Sequence, residues 1–529
     1  MGAKTFKNIS FGKLFFLTVL FLLVRTPSLF EGFWHGDENI YFAVANALNK
    51  GGVLYVDAWD HKPPFLYLIY ALSYFLFGAE LWPLKLLNSL LYGLLIIVWY
   101  QIASGFYKIR FSTSLFFSLI LIISSLFFEL NTFNGENLYT PLVWIGIYFF
   151  LLNVNDYSEL HRLNIKYSFM AGIFFSIAAF TKIHALAEIL GLYGVFWIGK
   201  AACFNAKRHN RSLKYLFSKT TFTNFLLPFY ILLLPWAILI AVYYLRGEEY
   251  SLYHAIIGFS SDYISPNSQL QIAGYTIPFL SGLQFRTFLL AGYFISLTLL
   301  FWYKKLSWQT YLLIFWLGLT AYTCLISQRV YPHYLIQFWP VCLLALAWLW
   351  DFLQKKEIQF GLRLTGAVFL ICFIFSFFFS FYQGRVLFGY IRPTWYLKFW
   401  TSFYNHEDFN HWKKGFNPYL IATQKDLVKI IHNHTSVGDQ IHVAGNRPDL
   451  YFLSNRRNAT KYLVEMHYSK KYLPILFEAL KNKKPPFIAF DLNSKYRTQW
   501  QRFLNSNYQK VNLYQNYYEI WIKPHSNNK

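Results

Sequence analysis

Long apolar runs separated by short basic or polar stretches fill the first three-quarters of the chain. Leu14 to Val24, Leu115 to Phe128 and Phe225 to Tyr244 carry no charge, and each lies in a stretch near the ~20 residues that cross a bilayer's hydrocarbon core. The pattern predicts spans over residues 12–30, 84–106, 111–129, 138–155, 168–182, 184–200, 222–246, 286–303, 309–327, 333–353 and 362–383, about eleven in all. Residues 1–30 begin with Lys4, Lys7 and Lys13, and no small-residue cleavage site follows Phe30, so the first run reads as a retained helix. Phe65 to Gly78 is apolar but only about fourteen residues long, which predicts an interfacial or re-entrant helix in the first outer loop. Beyond Tyr382 the pattern turns polar and mixed. Asp426 to His434 predicts a helix, Gln440 to Ala444 and Phe487 to Phe490 short buried strands, and Tyr517 to Ile522 a closing strand. The expected fold is an all-α polytopic membrane protein, 1–383, followed by a small extracytoplasmic α/β domain, 384–529.

Composition agrees with a lipid-solvated chain. Of 529 residues 56% are hydrophobic, 22% aromatic and only 14% charged, against roughly 25% charged in a soluble domain. The net charge of +23 is largely carried by short loops between spans, where cytoplasmic retention of Lys and Arg explains it without nucleic acid as a partner. The loop from Lys200 to Lys219 holds Lys207, Arg208, Arg211 and Lys214 and no acid, whereas Gly247 to Phe285 holds Glu248, Glu249 and Asp262 and no Lys or Arg. The two belong on opposite sides. Extending the rule puts the N-terminus inside and the C-terminal domain outside. The four cysteines, at 203, 324, 342 and 372, fall in or beside apolar segments and imply no disulfide framework.

Ionisable groups at membrane depth are costly, so those at span ends facing one side are candidates for a site, and this topology gathers four sets of them on the outer face. Gly36-Asp37-Glu38 follows the first span and opens a helix along the surface over Asn39 to Asn49, so Asp37 is either an N-cap or a carboxylate that takes a proton from an incoming hydroxyl. Asp60-His61-Lys62-Pro63-Pro64 heads the short apolar segment; the prolines hold Lys62 at a helix entrance, where an ammonium and free amides meet a phosphate. Asn134-Gly135-Glu136-Asn137 supplies a second acid, for the acceptor or for a metal ion. Lys182 with His184, and Arg329 with Tyr331 and His333, are further cations at span ends, which otherwise serve as interfacial anchors. Carboxylates and cations on one face suit chemistry on a phosphate-bearing lipid.

These motifs resemble the polytopic C-type glycosyltransferases that use polyprenyl- or dolichyl-phosphate sugars. The bacterial branch related to protein O-mannosyltransferases and to the transferase that adds aminoarabinose to lipid A is the most similar. The similarity rests on Gly36-Asp37-Glu38, on Asp60 to Pro64 with Phe65-Leu66-Tyr67, and on Asn134-Gly135-Glu136. Thr181-Lys182, Arg329 to Leu335 and Asp449 to Arg457 extend it. It implies that Asp37, beside Glu38, is the catalytic base. Lys62 would contact the donor phosphate, with Lys182, Arg329 and His333 for the same task; Asp60, His61 and Glu136 would serve the acceptor or form a second acidic site. Transfer from a polyprenyl-phosphate sugar to a lipid, glycan or protein acceptor would then invert the anomeric carbon. No cofactor is implied, and no clear array of three acids marks a divalent metal site. A transferase of diphosphate-linked glycans and a lipid-linked sugar flippase are the alternatives. The first calls for a metal site or an arginine cluster in the outer loops, the second for mid-membrane charges and inverted repeats.

Overall fold

The computed structural model describes residues 11–154, 164–207, 219–259, 271–272, 275–276, 291–299, 307–325, 331–354, 393–407, 412, 418–468, 470–515 and 517–524. Arg329 and the span expected at 362–383 lie outside the described residues. The chain divides into two compact units. The first comprises residues 1–26, 87–241 and 260–396, and the second 27–86, 242–259 and 397–529.

Apart from a short antiparallel pair, Gln271–Ile272 with Tyr275–Thr276, helices make up the described part of the first unit. They are α1 (Phe11–Arg25), most of α4 (Trp82–Gln101), α5 (Phe111–Ser124), α6 (Gly135–Val154), α7 (Ile165–Ala179), α8 (His184–Lys207), α9 (Lys219–Leu245, whose end lies in the second unit), α11 (Trp308–Leu325) and α12 (Phe338–Leu353). Among the described residues, Trp82–Phe106 and Leu226–Leu245 are long and apolar enough to cross a membrane. The second is mostly uncovered, with Leu233, Leu234, Ile238 and Ile240 all exposed, a surface that water does not tolerate and hydrocarbon does.

Small residues set the packing distances here, as they do where helices meet without a hydrophobic drive between them. A Cβ on Gly146 of α6 would sit 2.5 Å from the Phe175 ring of α7, and one on Gly172 would sit 2.9 Å from the Pro228 backbone of α9. Buried polar pairs join helices within this unit. Trp316 donates to Glu188 at 2.5 Å, and the Arg25 guanidinium, 2% exposed, donates to the Ser125 carbonyl at 3.1 Å.

The second unit joins three distant stretches of chain. From the first outer loop come α2 (Gly36–Asn49) and α3 (Pro64–Phe77), and from residues 242–259 comes α10 (Glu249–Tyr253). The C-terminal stretch adds α13 (Pro393–Tyr404, from Leu397), α14 (Pro418–His434), α15 (Asp449–Leu453), α16 (Leu473–Lys483) and α17 (Arg497–Asn507) around a five-stranded sheet. Its strands are β1 (Gln440–Ala444), β2 (Arg457–Asn458), β3 (Phe487–Asp491), β4 (Gln509–Tyr514) and β5 (Tyr518–Ile522), in the order β2-β1-β3-β5-β4. The first three run parallel, while β5 pairs antiparallel with both β3 and β4.

Expected as a surface helix, α2 is enclosed: every residue from Glu38 to Ala47 is buried. Phe33 and Phe42 meet Phe452 of α15 at 4.9 and 5.2 Å between ring centres, and the Asn46 amide donates to the Arg456 carbonyl at 2.8 Å. Conversely α3 keeps an apolar stripe uncovered, with Leu68, Leu72, Phe75 and Leu76 exposed, which suits a helix lying in the membrane interface.

Candidate active site

In the second unit, the order Gly36-Asp37-Glu38 fixes two opposite surroundings for adjacent carboxylates. His35 is the N-cap residue of α2 and makes no side-chain cap bond, so Asp37 lies one residue inside the helix and does not cap it. Its carboxylate accepts the Tyr41 hydroxyl at 3.0 Å and lies 3.7 Å from the Lys62 ammonium. Glu38, a third of a turn on, points into the core. The Lys85 ammonium, from the first turn of α4, stands 2.8 Å from Glu38 and 3.3 Å from Glu31, and all three side chains are fully buried. Trp34 donates to Glu31 at 2.8 Å.

Lys62 owes its place to the two prolines after it. Pro63 is the N-cap of α3 and Pro64 its first helical residue, a position where the missing N–H costs nothing. The Tyr55 hydroxyl donates to the Lys62 carbonyl at 2.7 Å, and the Lys62 N–H donates to the Tyr67 hydroxyl at 3.1 Å. The ammonium then rests 4.8 Å over the Tyr41 ring, between Asp37 and Asp60, the latter 3.9 Å away.

Asp60 is 1% exposed and gathers bonds from every side. Tyr67 donates to it at 2.7 Å, the His61 N–H at 2.8 Å, and the His61 and His467 rings approach to 2.9 and 3.5 Å. Burial alone would raise its pKa, but Lys62, His61 and the His467 hydrogen bond outweigh it and hold the carboxyl well below its usual range. Burial pushes His61 the other way, below an ordinary imidazole, against the pull of Asp60. Hydrogen bonds and Lys62 together satisfy Asp60.

The first unit holds the other expected residues in pairs of its own. Asn134 caps α6 by accepting the Asn137 N–H at 3.0 Å, which sets Glu136 in the first turn, where it pairs with Lys182. Lys182 also lies 4.8 Å over the Tyr334 ring. His333 meets Glu129 at 2.7 Å. Phe128 and Glu129 both take positive φ, 60° and 58°, a costly conformation for two successive non-glycine residues. Side chains hold the loop: the Asn88 amide donates to the Leu130 and Thr132 carbonyls, both at 2.8 Å.

No family model and no curated protein matches the sequence. Solved structures do match. ArnT from Cupriavidus metallidurans bound to undecaprenyl phosphate aligns with a TM-score of 0.58 and 14% identity, over 98% of this chain and 99% of that one. The apo state of the same protein aligns at 0.57 and 15% identity, over 96% and 97%. The chain has the ArnT fold.

The match with ArnT bears out, at the level of fold, the resemblance to C-type glycosyltransferases read from the motifs. On this ArnT fold the structure brings Asp37, Asp60, His61 and Lys62 together in one unit, and Glu136 with Lys182 in the other. Sequence reading passed over Glu31, Lys85, Glu129 and His467. Lys85 could have been found, because a lone lysine among the apolar residues of α4 needs a partner. His467 could not, since nothing local links it to Asp60, some four hundred positions away.

Proposed function

We propose that the protein is a membrane glycosyltransferase that moves a sugar from an undecaprenyl-phosphate carrier to an acceptor hydroxyl on the outer face of the cytoplasmic membrane. The observation that carries this reading is the Asp37–Lys62 pair, an accessible carboxylate beside a held ammonium, on the fold of a protein crystallised with undecaprenyl phosphate. The side chains of Asp37, Asp60 and Glu38 are 28%, 1% and 0% exposed. Only Asp37 of these three can reach a substrate, so Asp37 is the base, and Glu38 holds the helix start in place.

In the reaction the acceptor oxygen attacks the anomeric carbon as its proton passes to Asp37. The bond to the carrier phosphate breaks, and the electron pair leaves with that phosphate. Lys62 neutralises the charge that builds there, which helps most at the transition state. Before the donor arrives, Asp37 and Asp60 balance the Lys62 ammonium; the donor phosphate replaces Asp37 as its partner and leaves that carboxylate free to accept a proton. A single displacement inverts the anomeric carbon. The chemistry assigned to these residues needs no metal ion. Lys182, His333 and Arg329 are further candidates for the donor phosphate, with Glu136 for the acceptor; Lys182 and His333 would first have to exchange Glu136 and Glu129 for it.

Parity supports the orientation. Residues 27–86, 242–259 and 397–529 share one unit, so the chain must cross the bilayer an even number of times between them. The spans read from the sequence give six crossings and then four. Together with the cytoplasmic N-terminus expected from the basic loops, this count supports a C-terminal domain and first loop on the outside. The test is to incubate purified protein with a panel of undecaprenyl-phosphate sugars and a cell-envelope acceptor extract. Release of free undecaprenyl phosphate with one sugar is expected; release with none, across the panel, overturns the reading.

A further inference from the structure

The loop between α5 and α6 carries a nearly buried ion pair on a costly backbone. Phe128 and Glu129 sit at φ 60° and 58°, in the left-handed region that successive non-glycine residues avoid. Phe128 anchors the turn: it is 1% exposed, and its ring packs 5.4 Å from the Trp339 ring. The Glu129 carbonyl accepts the Thr132 N–H at 3.0 Å, the Thr132 hydroxyl at 2.7 Å and the Asn137 amide at 3.2 Å. These contacts bring the Glu129 carboxylate to 2.7 Å from Nδ1 of His333, with the two side chains 8% and 10% exposed.

The imidazole is clamped by its neighbours as well. His333 lies in the short turn Pro332–Leu335; Tyr331 stacks on its ring at 5.5 Å and 5°, and Tyr334 meets it edge-on at 4.8 Å and 88°. Lys182 lies 4.8 Å over that same Tyr334 ring and pairs with Glu136. Two cations thus share one tyrosine, each with its own acid. A carboxylate seated on a cation competes with any phosphate for it. A pair so little exposed would ordinarily resist exchange, but here release of Glu129 lets a strained turn relax, which lowers the cost of the exchange.

We infer that Glu129 is an internal competitor of the carrier phosphate, a strained latch that occupies His333 in the donor-free protein and closes on it again after transfer. This rests on the reading of His333 as a donor-phosphate residue. The chemistry gives the latch a use. The donor is a phosphodiester with one negative charge, whereas the spent carrier is a monoester with nearly two, so the product binds the cations more strongly than the substrate does. A carboxylate that returns to His333 helps the product leave, the step that limits turnover in many enzymes.

Titration of purified full-length protein with undecaprenyl phosphate, followed by native mass spectrometry, tests the latch. Glu129→Gln should bind the carrier about tenfold more tightly than wild type. Glu129→Asn, whose side chain tolerates positive φ, should match it and melt no lower than wild type. In a His333→Gln background, Glu129→Gln should change the affinity less than twofold. Equal or weaker binding by both Glu129 variants overturns the latch. A gain that persists without His333 overturns it too, since the carboxylate would then act only through its field on the phosphate. Sugar transfer is read separately. A protein that shows the latch but transfers no sugar would sink the transferase reading and leave this one, whereas turnover with unchanged carrier binding in both variants would sink this one alone.

Discussion

Asp37 and Glu38 are chain neighbours with opposite fates, and the difference is set by what each faces. Asp37 looks out over Tyr41 to Lys62, whereas Glu38 shares the buried Lys85 with Glu31. Replacing Asp37 with Asn removes a proton acceptor and almost no volume, so transfer should fall by about 10²–10⁴-fold while the melting temperature holds. Full turnover in the Asp37→Asn enzyme would end the assignment of the base. Lys62→Ala should raise the donor KM more than the acceptor KM; unchanged donor affinity would take Lys62 out of the phosphate site. Glu38→Gln acts through stability. It leaves a buried ammonium with one carboxylate, and losing a buried ionic partner costs about 3–5 kcal/mol. Denaturant unfolding should show that loss, and residual activity should follow the folded fraction.

At the scale of elements, hydropathy located the helices well because a long uncharged run has few ways to satisfy its backbone other than a helix. The structure shows α5, α6, α7 and α11 close to the expected spans, and the break at Lys182 falls between Ala179 and His184. The short helix at Phe65 begins at Pro64, as two prolines require. The sheet was legible only in its buried strands, β1, β3 and β5. Strand β2 is two residues long, and β4 exposes five of its six positions, Val511 and Leu513 among them, so it has no buried face to read.

Strand β1 carries a testable consequence. His442 is 1% exposed, stacks 5.3 Å from the Trp500 ring, and is pushed down to about 3 by burial. An unfolded histidine titrates near 6.5. The unfolded chain therefore takes up a proton first, so this contribution is complete above pH ~6.5 and is lost progressively between there and pH ~3. Unfolding followed by tryptophan fluorescence should show stability falling by up to about 1.4 kcal/mol per pH unit below 6. His442→Leu should flatten that slope, and an unchanged slope would assign the dependence to other groups.

For the whole molecule, the loop that carries Asp37 and Lys62 depends on the far end of the chain. Local sequence gives no sign of this, because the contacts join residues four hundred positions apart. Within the second unit the Trp59 backbone N–H donates to the Lys461 carbonyl at 2.8 Å, Asn458 donates to the Asp57 carbonyl at 2.6 Å, and Asp60 has His467 beside it. With Phe452 against Phe33 and Phe42, these contacts cover α2 and fix the turn that presents Lys62. Truncation after residue 396 removes all of them while keeping Asp37, Lys62 and every expected span. Hydrogen exchange over residues 36–62 should then quicken by two orders of magnitude or more, since α2 would expose its apolar side. Donor affinity should fall with it, although no deleted residue is assigned to the phosphate. If exchange and affinity both stay at wild-type levels in the truncated protein, the C-terminal domain has no part in shaping the loop, and its role must be sought in the acceptor.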